Sequence, residues 1–87
     1  MSPGVSLACR LMPELAIRIR VLAMEDESFV DLCDDLAVAQ RALEGMALAP
    51  EALRQNRLTE CESWIVDLCG EIRTAVSRRS ASGPTRI

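Results

Sequence analysis

The densest reactive cluster in this chain is acidic: Glu25, Asp26, Glu27, Asp31, Asp34 and Asp35 crowd one short segment. Carboxylates so spaced are suited to a divalent cation or a basic partner. Asp31 and Asp35 stand one helical turn apart and share a face. Metal sites in helical bundles draw inward-facing carboxylates, often with His, from several helices. Here one segment supplies them all, and the chain has no His. The segment therefore reads as a solvated acidic patch, Asp31, Asp34 and Asp35, beside a helix cap. No metal ligand is assigned.

The second reactive set is Cys9, Cys33, Cys61 and Cys69. No two are spaced as CxxC, so a structural zinc site has no signature. A reactive thiol needs exposure and a positive surrounding. Cys33 sits among acids, whereas Cys9 precedes Arg10 and is the redox candidate. The others fall in apolar helical patterns, where a reduced Cys acts as a small hydrophobe. Nucleophilic or acid–base chemistry has little to work with. A Ser or Cys nucleophile needs a neighbouring base, and His, Lys and Tyr are all missing. No Gly-rich phosphate loop is present. The sequence predicts no catalytic residue, no cofactor and no enzyme.

The elements that must carry these groups are helices. Ala, Leu, Glu, Arg and Gln dominate, and β-branched residues do not alternate with polar ones. The 87 residues suffice for one small domain, and Phe29 and Trp64 are its whole aromatic inventory. The core must then be aliphatic. The net charge of −3 opposes binding to nucleic acid. No stretch approaches the roughly 20 apolar residues of a membrane span, and residues 1–10 lack the features of a secretory signal. A cytoplasmic location without membrane contact is expected.

Residues 1–10 contain Pro, Gly and Ser and read as a mobile lead-in. A first helix spans about 13–25, with Pro13 in its first turn. It carries two apolar stripes: Leu15, Ile19 and Leu22 on one, Ile17, Val21 and Met24 on the other. Asp26 or Ser28 caps a second helix over about 27–45, whose stripe is Phe29, Leu32/Cys33, Leu36 and Leu43. Gly45 and Pro50 close it. A third helix spans about 50–78, through Leu53, Cys61, Trp64/Ile65, Leu68, Ile72 and Val76. The tail 80–87 has no apolar period and reads as disordered. Residues 11–79 thus form the helical domain.

A short connection between helices implies an antiparallel hairpin. The predicted fold is all-α: a short N-terminal helix, then a long antiparallel helical hairpin, completed as a coiled-coil-like bundle by dimerisation. The third helix outreaches the second, and the second stripe of the first helix offers a subunit face. Ile17, Val21 and Met24, with Trp64 at a stripe edge, are the interaction candidates. Function reads as a small interaction or regulatory adaptor, a homodimer that also binds an unidentified protein partner. The alternative is a thiol-based redox or metal-responsive protein.

The segment from Glu25 to Ala39, EDESFVDLCDDLAVA, resembles short bacterial proteins that carry an ED-x-x-F-x-x-LC-x-D stretch leading into a helix. Those proteins commonly place an aromatic residue where this chain has Leu36. The resemblance implies a small helical hairpin of bacterial origin and transfers no activity.

Overall fold

The computed structural model describes residues 2–82, and of residues 80–82 the backbone alone. Four α-helices make up the fold: α1 (Pro3–Leu11), α2 (Ala16–Glu25), α3 (Glu27–Gly45) and α4 (Glu51–Ser82). Short 3-10 turns at Pro13–Leu15 and Met46–Leu48 precede α2 and α4. No strand occurs among the described residues. No described helix is long and apolar enough to cross a membrane.

Local chemistry explains the starts of α1, α3 and α4. Ser2 is the N-cap of α1, and its hydroxyl accepts the Val5 N–H at 3.1 Å. Pro3 follows at the first helical position, where a missing N–H costs nothing. Asp26 caps α3, its carboxylate accepting the N–H groups of Ser28 at 2.9 Å and Phe29 at 3.3 Å. Pro50 precedes α4, and its carbonyl accepts from Leu53 and Arg54.

The lead-in expected at residues 1–10 is not loose. Residues 3–11 are helical, and Val5, Leu7, Ala8 and Cys9 are buried. The Pro, Gly and Ser that suggested a loop instead start a helix and let it approach closely. A Cβ added at Gly4 would lie 2.2 Å from the Cys33 carbonyl oxygen. The Gly4 N–H also donates to the Asp34 carboxylate at 3.1 Å. Backbone therefore meets backbone where α1 crosses α3. The first expected helix is also split, because Pro13–Leu15 form a 3-10 turn before α2. At the far end α4 continues through Ser82, so residues 80–82 are helical rather than part of a disordered tail. Residues 83–87 lie outside the described part.

The core is aliphatic. Met12, Ile19, Leu36, Ile72, Val5 and Cys33 are its largest fully buried side chains, and Phe29 joins them. α3 is the central element, packed against both α1 and α4, while α2 bridges α1 and α4. Two ion pairs tie α4 to the α2 region: Arg73 with Glu14 at 2.8 Å, and Arg79 with Glu25. The described residues extend 58 × 21 × 21 Å. One end is a four-helix body. The other is a narrower stalk of late α3 and early α4.

Candidate functional site

α2 is amphipathic in the ordinary way on its inner side, where Ile19 and Leu22 are buried. Its outer side is not. Ile17, Val21 and Met24 repeat at i, i+4 and i+7, one helical row, and are 76%, 48% and 86% exposed. This row is an apolar ridge facing solvent.

A groove runs along each flank of the ridge. On the α4 side a cavity of about 160 Å³ is lined by Ile17, Arg18, Val21, Leu22, Val76 and Arg79. On the α1 and α3 side a cavity of about 360 Å³ is lined by Ser2, Val5, Arg20, Ala23, Met24 and Val30. Both linings are mainly aliphatic, and each includes an α2 arginine. Neither includes a carboxylate.

The reason lies in the ion pairs. Residues 2–25 hold two acids, Glu14 and Glu25, and α4 draws both to itself through Arg73 and Arg79. The Arg73 hydrogen bond, followed by the residue's own backbone, holds the Glu14 carboxyl below its ordinary value. Arg10, Arg18 and Arg20 have no ion pair among the described residues. The two grooves beside the ridge are therefore lined by apolar and basic side chains, with Ser2 the one other polar residue.

The other sequence candidates lie elsewhere. Trp64 is on α4, 42% exposed, and lines neither α2 groove. It does not join Ile17, Val21 and Met24 in one site there. In the acidic patch, Asp31 and Asp35 are exposed, whereas Asp34 is half-buried and committed to the Gly4 N–H. Asp34 thus fixes α1 to α3, a role the sequence reading missed. Ser2 followed by Pro3, with Val5, Ala8 and Met12 at helical spacing, was the available signal.

Cys9 is buried, and its thiol donates to the Ala16 carbonyl at 3.6 Å. That environment lacks the exposure a sensor thiol needs. Burial, followed by the neighbouring Asp34 and Cys9, pushes the Cys33 thiol up to about 12. Burial also raises Cys69, with Arg73 opposing. All four cysteines are free. Among the described residues, no three Cys, Asp or Glu side chains gather where a metal ion would sit.

A concavity of about 810 Å³ follows α4 from Val66 to Arg78. Acids Asp67 and Glu71 and the base Arg78 line it together. Leu32 of α3 closes its other side. No known protein family, curated protein or solved structure matches the chain.

Proposed function

We propose that this chain is a small helical interaction or regulatory adaptor without catalytic activity. The observation that carries the reading is the α2 ridge. Three large apolar side chains stand in one row, in solvent, on a helix whose opposite side is locked into the core. Isolated exposed hydrophobes are normal, but a contiguous row flanked by grooves marks a contact surface. In this reading α3 and α4 form the antiparallel hairpin that holds α2 in place. Such a hairpin is what the likeness of Glu25–Ala39 to small bacterial helical proteins implies. The adaptor is cytoplasmic, as its reduced thiols suggest. The ridge suits either occupant named by the sequence, a second copy or another protein.

A photo-crosslinking amino acid placed at Met24 in the native host tests this. The expected result is one discrete adduct, heavier than the chain by the mass of a partner or of a second copy. The same group at Gln55, an exposed polar position on the stalk, is the control. Equal, diffuse labelling at both positions would remove the adaptor reading.

A further inference from the structure

We infer that the occupant of the α2 ridge is an acidic amphipathic helix of another protein. This rests on the adaptor reading and adds the chemistry of the partner.

The charge pattern selects the partner. The two grooves present aliphatic walls with Arg18 on one side of the ridge and Arg20 on the other. The two acids of residues 2–25, Glu14 and Glu25, are already held by α4. An arriving chain therefore meets apolar surface and the guanidinium groups of Arg18 and Arg20, which have no ion pair among the described residues. Carboxylates satisfy guanidinium groups through short, charge-assisted hydrogen bonds. Apolar side chains satisfy the walls. A partner carrying both, at helical spacing, fills the site.

The shape selects a helix. A ridge at i, i+4 and i+7 with a groove on each flank is the surface that helix-on-helix packing uses, side-chain rows of one lying in grooves of the other. The row spans about 10 Å at 1.5 Å per residue. A partner helix of three turns covers it and places its own apolar rows in both grooves.

The same charges disfavour a second copy. Two-fold pairing through one patch repeats that patch on both sides. Arg18 and Arg20 of both copies would then line one seam, and the α2 carboxylate nearest it, Glu25, is already paired with Arg79. Docking the ridge on the acidic patch of another copy is head-to-tail, and a head-to-tail contact that does not close grows into a filament.

The test is selection from a phage-displayed library of random helical peptides on the full chain. Enriched peptides should be net acidic, with apolar residues at i, i+3 or i+4, and i+7. Fluorescence anisotropy with one enriched peptide should show binding weakened about tenfold or more by R18E/R20E. Raising the salt should weaken it as well. The stalk variant R57E should bind as the wild type does. All variants should keep wild-type circular dichroism. Neutral or basic peptides among the enriched set would overturn the inference, as would unchanged affinity in R18E/R20E. Stronger association with phosphatidylglycerol vesicles than with any selected peptide would assign the face to a membrane instead. A dimer or filament in sedimentation that I17D disperses would assign it to a second copy. A Met24 crosslink to a partner segment without acids would remove this inference and leave the adaptor reading intact.

Discussion

The two halves of α4 are one continuous helix with opposite fates. Leu68, Ile72 and Val76, in its second half, are buried. No residue from Glu51 to Asp67 is buried, although Leu58, Cys61 and Ile65 continue the same apolar spacing. The difference is not propensity or periodicity but the number of neighbours. The second half is reached by α2 as well, through Arg73, Val76 and Arg79. The first half lies in the stalk, where two helices cover each other on one side only. A stripe of fixed spacing sinks into a core only where several layers close over it. The body should therefore hold most of the stability, and the stalk little.

The sharpest way to break this comparison is a matched pair of charge insertions. Leu36 is fully buried at the centre of α3. An Asp there would be an unpaired buried carboxylate, which costs several kcal/mol. Small domains hold only about 5 kcal/mol in total. Leu36→Asp should abolish the cooperative thermal transition and most helical circular dichroism. Leu58→Asp, in the stalk, should lower Tm by only a few degrees. Equal collapse of both variants would mean that the stalk is as cooperative as the body.

Next in size is Gly4→Ala. The added methyl meets the backbone of Cys33 and Asp34, which cannot swing aside as a side chain would. Overpacking of this kind costs about 3 kcal/mol. α1 must lift from α3, and the Gly4 N–H loses Asp34. Urea unfolding should show the loss, and hydrogen exchange should show α1 protection falling first. A variant as stable as wild type would disprove the close crossing.

The buried thiols give the body a pH dependence. Cys33 is neutral in the fold up to about 12, against an ordinary value of 9.0. The unfolded chain loses this proton first as pH rises. Its contribution to stability is thus complete below about pH 9 and declines between 9 and 12. Wild-type Tm should fall across that range more steeply than Tm of Cys33→Ala. Iodoacetamide should label Cys61 before Cys33, because Cys61 is only half-buried. Fast labelling of Cys33 in the folded protein would contradict its burial.

The helical class was legible in the sequence because stop signals act locally. Asp26 and Pro50 shape the backbone at their own positions, and α3 and α4 begin beside them, whereas Gly45 ends α3 with ordinary helical backbone and the chain runs on into the turn Met46–Leu48. The second stripe of α2 was legible for the same reason, as a 3.6-residue period. What escaped was tertiary. Pro3 and Gly4 have loop-like composition, and only the presence of α3 at contact distance makes Gly4 a packing residue. The grooves beside Ile17, Val21 and Met24 were not legible either. They depend on Val5, Val30 and Val76, brought from three other helices. The basic character of the face depends on which arginines capture Glu14 and Glu25, and no local pattern states that.

Gly70 supplies the smallest and cleanest test, because it shares the helical backbone of Gly4 but has the opposite surroundings. It lies within α4, has no positive φ, and nothing stands within 4 Å of where a Cβ would be. Its only effect on the isolated chain is backbone freedom in the unfolded state. Ala at such a position favours the helix by up to about 1 kcal/mol. Gly70→Ala should raise Tm by about 4–8 °C, the range for domains of this size. The two glycine variants should then move stability in opposite directions, the one at a backbone crossing and the other on open helix. Loss of stability in Gly70→Ala would mean that another chain approaches α4 at this point, and the open reading of its outer side would fall.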